Sequence, residues 1–580
     1  MRPVEAAGPP VQTGATAIGS GGAVATVDAD ATRVGIDVLR RGGNAVDAAV
    51  AAAATLGVTE PFSSGLGGGG FFTYYDAATR TVHTIDGRET APATMQPDAF
   101  VNPQTGVAYA FQEARISGIS AGIPGSPATW SAALQRWGTL SLAQALQPAI
   151  EVAQHGFTVD ATFQGQIASN FNDFGQFTST SALYLPGGQP PAIGSRFRNP
   201  DLAHTYQLIA RDGVDVLYRG AIARDIVQTI QHPPLAAQPL GSWPFTIRPG
   251  TTELSDLAGY AVRLPEPTHV QYHGLDVYGM ATPSSGGSTV GEALNILSGL
   301  DLGSLTRTQA LNDYLQASAL AFADRNRYVG DYTPRAQVDQ LLTPGFAAQR
   351  RCLIDPTAAP PRPVAPGVPG APAGCPTTTG GADPGQEQHT TNLTVADRWG
   401  NVVEYTLTIE QIGGNAMVVP GRGFLLNNEL TDFNFTPTQG TAPDPNLPAP
   451  TKRPRSSMSP TILLDHGRPF LAIGSPGGAT IITTVLQILM NRLDLGMTLP
   501  EAIAAPRASQ RNSAGTDVEP AFLASPEAAG LATLGWTYNA PAEIGAATGI
   551  EFLSGGRLLA AAEPVRRGSG SAAVVLPATG

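Results

Sequence analysis

A stretch from Asp355 to Pro384, made largely of Pro, Ala, Gly and Thr, divides this 580-residue chain, and two strand patterns stand just beyond it. Such a composition buries too little apolar surface to build a core, so it reads as an extended, exposed linker and as the strong internal boundary. Thr390 to Asp397 largely alternates polar and apolar residues, as a half-buried strand does. Val402 to Glu410 then puts Val403, Tyr405, Leu407 and Ile409 on one face and Glu404, Thr406, Thr408 and Glu410 on the other. Between them, Arg398-Trp399-Gly400 supplies glycine where a three-residue hairpin loop needs left-handed backbone. If Asp397 and Asn401 close the loop, Thr390 faces Thr408; a slip of one residue would bring Leu407 there and mix the two faces.

Two facing hydroxyls at the end of a linker suggest a chemistry. A threonine hydroxyl is a weak nucleophile, but a threonine at a chain terminus carries its own base, because a free α-amino group titrates near about 8. Cleavage between His389 and Thr390 would create that terminus, with the hydroxyl attacking the preceding carbonyl and water hydrolysing the ester. The plain alternative is a threonine at a strand edge, where threonines are common.

The remaining chain bounds the possibilities. A hydrophobic fraction of 42% and a charged fraction of 14% describe a globular protein rather than a disordered one. The net charge of -12 opposes partnership with nucleic acid or anionic lipid, which need clustered positive charge. The longest apolar run, Ala45 to Val58, is too short to cross a bilayer and contains Asp47, so no membrane span is expected. The N-terminus shows no secretory signal pattern. Thr32 to Arg41 reads as a helix stopped at Gly42-Gly43, with Asn44 capping a second helix that has Asp47 in its first turn. Gly65 to Gly70 is a glycine-rich loop feeding the strand Phe71 to Tyr75. A dinucleotide site needs the strand before the loop and a helix after it, so the loop reads instead as backbone passing close to another segment or a substrate. Asn312 to Val329 reads as a core helix, and Ile481 to Leu493 as a helix in a mixed α and β unit after the linker. Cys352 and Cys375 flank the proline-rich segment, and no neighbouring histidine or cysteine completes a metal-binding spacing. They form either a disulfide, worth roughly 3 kcal/mol by loop entropy, or two free thiols.

Separated motifs then agree in order with one family. They are Gly42-Gly43-Asn44-Ala45-Val46-Asp47-Ala48-Ala49, the glycine run, Arg88-Glu89-Thr90-Ala91-Pro92, Pro283-Ser284-Ser285-Gly286-Gly287 and Ala321-Phe322-Ala323-Asp324-Arg325. Beyond the linker come Thr390-Thr391, Leu426-Asn427-Asn428-Glu429, Asp432-Phe433, the run Arg453 to Thr461 and Gly474-Ser475-Pro476-Gly477-Gly478. The chain resembles a gamma-glutamyltranspeptidase from about Ala23 to its end.

The resemblance implies an α+β fold, a four-layer αββα sandwich of the N-terminal nucleophile hydrolase type. One precursor would become a large subunit, residues 1–389, and a small subunit, residues 390–580, which stay together as a heterodimer. It implies Thr390 as nucleophile with Thr408 bonded to it. Arg88, Ser456 and Ser457 would hold the substrate carboxylate, Glu429 and Asp432 would accept from its ammonium, and the Gly477 and Gly478 amides would form the oxyanion hole. Glu410 stands beside the carboxylate where asparagine is frequent, and Asn392 where histidine is common. The segment Phe435 to Thr451 lacks Tyr and Trp, which argues against an aromatic lid and for hydrolysis over transpeptidation. The substrates implied are glutathione or related γ-glutamyl compounds, with water or an amino-acid or peptide amine as acceptor and with no metal or cofactor. A periplasmic or secreted location is implied as well. The rival readings are a cephalosporin or glutaryl acylase of the same superfamily and an uncut binding protein without chemistry.

Overall fold

The computed structural model describes residues 9–371, Cys375 and residues 390–576. Two seven-stranded sheets lie face to face. The first runs, in spatial order, Val11–Gly14, Ser571–Val575, Gly22–Thr26, Thr390–Asp397, Val402–Thr408, Gly69–Asp76 and Thr81–Gly87. The second runs Thr16–Gly19, Arg557–Ala562, Thr548–Leu553, Arg468–Gly474, Thr461–Asp465, Leu275–Gly279 and Thr268–Tyr272, and every pairing in both sheets is antiparallel. Helices Ala29–Arg40, Ala45–Thr59 and Ser126–Trp137 cover the outer face of the first sheet. Gly286–Leu297, Thr480–Leu493 and Leu499–Ala504 cover the second. This is the four-layer αββα sandwich that the resemblance implies.

The hairpin forms in the expected register. Thr390 pairs with Thr408, and Gly400 takes a φ of +91° in the loop. Two expectations change. Both strands are buried on both faces rather than half-buried, because the polar face lies between the sheets instead of in water. There Asn392 donates to Glu404 Oε1 at 2.5 Å and Thr548 Oγ1 at 2.9 Å, and accepts from Thr406 Oγ1 at 2.7 Å. The alternation therefore separates an apolar face under helix Ala45–Thr59 from a hydrogen-bonded face against the second sheet. The second strand also ends at Thr408 rather than Glu410, whose positive φ of 79° turns it out of the ladder.

The helical hairpin forms with the first helix beginning earlier than its pattern, at Ala29, where Asp28 caps the Ala31 amide. Asn44 and Asp47 make a reciprocal capping box, and Asp47 also takes the Thr139 and Leu140 amides. The glycine loop meets backbone, as expected. A Cβ at Gly67 would overlap Leu425 O, and one at Gly68 would overlap Thr408 O, so glycine there brings the loop against the end of the Thr408 strand.

The first half of the linker departs from the exposed reading. Residues 355–371 have no regular structure, yet they dock on the body. The Gly367 amide donates to Asp324 Oδ1 at 2.5 Å, Arg350 donates to Ala365 O at 2.8 Å, and the Asn512 side chain bonds both the amide and the carbonyl of Val364. Polar clamps thus hold the segment, while Ala359 and Val364 pack on the apolar core. Cys352 and Cys375 form a disulfide, resolving the choice left by the sequence. Among the described residues, no helix is long and apolar enough to cross a membrane.

Candidate active site

Eight of the residues singled out from the sequence line one cavity: Arg88, Thr390, Thr408, Glu410, Glu429, Asp432, Ser456 and Ser457, joined by Met458 and Ile481. The hairpin register delivers Thr390, the first residue of its strand, beside Thr408, the last of the next. Thr408 Oγ1 accepts the Glu410 amide at 2.8 Å, which fixes the turn and aims Glu410 into the cavity. Asn428 donates to Glu410 Oε2 and accepts the Gln411 amide at 3.1 Å.

Arg88 leaves the end of strand Thr81–Gly87 and is 1% exposed. Its guanidinium pairs with Glu429 and Asp432, both on the short 3₁₀ turn Glu429–Asp432, and donates to the carbonyls of Pro454 and Arg455. The expected carboxylate binder and the expected ammonium acceptors are therefore paired with one another here. Little space is left in the cavity, about 10 Å³ for the centre of a water molecule, room for roughly one water. Glu410 Oε1 and Glu429 Oε2 are buried with no hydrogen-bond partner among the described residues. They are acceptor positions already facing the site.

Other motifs brace the Ser456-Ser457 loop from outside the cavity. Ser285 donates to Ser456 O at 2.6 Å, Ser284 to Met458 O at 2.7 Å, and Arg325 bonds the hydroxyls of Ser285 and Ser457, each at 2.8 Å. Gly286 is required there, since a Cβ would overlap Ser459 Oγ.

Burial dominates the local titration. Burial and then the Asp432 charge push Glu410 well above the ordinary carboxylate range. Burial also raises Asp432, against the pull of Arg88. Glu89, next in sequence to Arg88, is pushed up to about 8 by burial, again opposed first by Arg88. The three carboxyls hold their protons more tightly than usual although Arg88, Arg115, Arg325, Arg453 and Arg455 each pull on one or more of them.

Gly477 and Gly478 do not line the cavity, but they adjoin it. The amide of Ile481, which does line it, donates to Gly478 O, and the two glycines have φ of +132° and +56°. Among the described residues, neither glycine amide donates a hydrogen bond. In the Phe435–Thr451 segment, Phe435 stacks on Phe100 at 4.4 Å. His389 lies outside the described residues.

Sequence reasoning missed Arg567, which donates to Thr390 O at 2.7 Å from a position near Glu60 and Glu543. Its signal was the adjacent pair Arg566-Arg567 before Gly568-Ser569-Gly570, a pattern that carries no chemistry until the fold brings strand Ser571–Val575 into the same sheet as Thr390.

A family model described as gamma-glutamyltranspeptidase matches residues 31–573. The glutathione hydrolase proenzyme of Bacillus subtilis is 38% identical over 506 residues, covering 84% of this chain and 81% of that protein. The acylase ACY 1 proenzyme of a Pseudomonas species is 35% identical over 498 residues, covering 85% and 83%. Among solved structures, cephalosporin acylase from Bacillus halodurans superimposes with a TM-score of 0.81 at 26% identity, covering 96% of each chain.

Proposed function

The chain belongs to the gamma-glutamyltranspeptidase family, and from that premise we propose that it cuts itself before Thr390 and uses that threonine to transfer or hydrolyse γ-glutamyl groups. The observation that carries this reading is the meeting of Thr390 and Thr408 in one cavity with Arg88, Glu410, Glu429, Asp432, Ser456 and Ser457. After cleavage the new α-amine accepts the hydroxyl proton as the Thr390 oxygen attacks the γ-amide carbonyl of glutathione or a related compound. The oxygen–carbon bond forms, the carbon–nitrogen bond breaks, and the amine leaves with the proton. Water or an acceptor amine then releases the glutamyl group. Thr408 orients the nucleophile, and the Gly477 and Gly478 amides stabilise the oxyanion. These steps use no metal or cofactor. Residues 1–389 and 390–580 remain together as large and small subunits.

The paired state of Arg88 supports a zwitterionic substrate head. An α-carboxylate takes over Arg88 and the two serines while an α-ammonium takes over Glu429 and Asp432, so each buried charge exchanges one partner for another. A glutaryl group offers the carboxylate alone and strands the acids. A buried charge left unpaired costs about 3 kcal/mol, a factor on the order of 100 in kcat/KM. The Cys352–Cys375 bridge supports a periplasmic or secreted location.

Two measurements test the proposal. Thr390→Ala should leave one uncut, inactive chain, and a normally processed T390A protein would end the reading. The second compares a γ-glutamyl anilide with a glutaryl anilide. Preference for the glutaryl compound would favour the acylase reading, to which the likeness to cephalosporin acylase lends support.

A further inference from the structure

All but one of the 34 lysine and arginine residues in this chain are arginine; the exception is Lys452. It is buried, and its ammonium donates to the carbonyls of Pro445 and Leu447, each at 2.8 Å. The same nitrogen stands 5.4 Å from the ring centre of Tyr332 and 5.8 Å from that of Phe433, within reach of both π faces. Two carbonyls that flank a single residue converge here on one point. A compact ammonium with rotatable donors suits that geometry better than the planar fork of a guanidinium.

The residue between those carbonyls is Asn446, also buried, and its side chain joins two shoulders of the Thr390 cavity. Asn446 Nδ2 donates to Asp432 O at 2.6 Å, and Oδ1 accepts the Arg455 amide at 2.9 Å. The second bond dictates the first, because the Arg455 N–H can be accepted only by the oxygen, which leaves the nitrogen for Asp432. Asp432 ends the turn that carries the expected ammonium acceptors, and Arg455 precedes the two serines expected to hold the carboxylate. The strap that presents Asn446 is itself pinned. Asp444 accepts the Asn446 amide at 2.9 Å, the Asn434 amide donates to Asn446 O at 2.9 Å, and a Cβ at Gly330 would overlap Pro445 O.

Resting on the γ-glutamyl reading, we propose that Asn446, held by Lys452, is a positioning residue for substrate specificity, fixing the Asp432 turn against the Arg455–Ser457 loop at the separation that fits an ammonium and a carboxylate borne on one carbon. Neither Asn446 nor Lys452 lines the cavity. They act through the backbone of Asp432, which does line it, and of Arg455, which adjoins Ser456.

The test uses the processed full-length enzyme with a γ-glutamyl anilide and a glutaryl anilide, which differ only in the ammonium. The readout is the ratio of their kcat/KM values. The amount of active enzyme cancels in that ratio, so a loss of folding or of self-cleavage alone leaves it unmoved. Asn446→Asp keeps an acceptor for the Arg455 amide but sets an oxygen against Asp432 O. Lys452→Met keeps the apolar stem but leaves the Pro445 and Leu447 carbonyls without their donor. Each should lower the preference for the γ-glutamyl anilide about tenfold. An unchanged ratio in the variants that cut themselves would overturn the proposal and leave the functional reading standing. If the unaltered enzyme cleaves the glutaryl anilide but not the γ-glutamyl one, the functional reading fails first and takes this inference with it.

Discussion

Replacing Glu89 with glutamine isolates the charge economy beneath the site. Glu89 is fully buried, and neither carboxyl oxygen has a hydrogen-bond partner among the described residues. Glycines make its space: a Cβ at Gly69 would come within 2.7 Å of Oε2, and one at Gly122 within 2.7 Å of the Glu89 Cβ. Burial raises the carboxyl from its ordinary 4.5 to about 8. Between those values the folded protein keeps a proton that the unfolded chain has released, so stability falls as pH rises through that window and levels off above it. At about 1.4 kcal/mol for each tenfold change in proton affinity, the loss reaches about 5 kcal/mol. E89Q preserves the shape without an ionisable proton. Near pH 5 its unfolding free energy from guanidinium denaturation should lie close to that of the unaltered protein, and near pH 8.5 it should be higher by an amount approaching that loss. Glu60, also raised to about 8 by burial, is common to both proteins and cancels in the difference. An E89Q protein less stable than its parent at pH 8.5 would show that the ionised carboxylate is itself stabilising, and the reasoning would fail.

Thr408→Val keeps the shape of the side chain but removes the acceptor of the Glu410 amide. Denaturation should report a loss of about 1–3 kcal/mol, and gel analysis and kinetics should show self-cleavage and turnover both slowed about 100-fold. Gly474→Ala would drive a Cβ into Glu404 Oε1, which Asn392 holds, and should cost about 1–3 kcal/mol by calorimetry. Reducing the Cys352–Cys375 bridge should lower stability by about 3 kcal/mol, and a Cys352→Ser variant should be insensitive to reductant.

The hairpin was legible because period-two alternation and a glycine at the loop fix register without outside help: Thr390 opposite Thr408 follows from Asp397 and Asn401 alone. What alternation cannot say is what covers the polar face. Thr394, Thr406 and Glu404 read as solvent-facing, yet a second sheet supplies Thr548 and buries them. The residues that line the cavity were legible through motifs held in family order. Their pairing was not, since Arg88 lies more than 300 positions from Glu429 and Asp432, and only the fold shows that they meet without a ligand. Arg567 was invisible for the same reason. The linker misled because composition reports total apolar content, whereas a few contacts suffice to dock it: the Gly367 and Val364 backbone groups bond the body and the Val364 side chain packs on the core.

The placement of the site follows from where strands end. In the first sheet Thr390 and Gly69 begin strands whose neighbours finish at Thr408 and Gly87, and Arg88 is the next residue. In the second, Thr461 begins a strand between those that end at Gly279 and Gly474. The loops that leave these ends carry Ser284-Ser285, Ser456-Ser457 and Gly477-Gly478. The two ends coincide because Gly474 packs directly on Asn392, two residues from Thr390. The sandwich therefore gathers its chemistry at one edge while the hydrogen-bonded layer between the sheets holds that edge in register. A loop leaving a strand end can aim a buried carboxyl at the cavity because its backbone is free to turn, as Glu410 does, whereas Glu404, buried within the ladder, stays between the sheets.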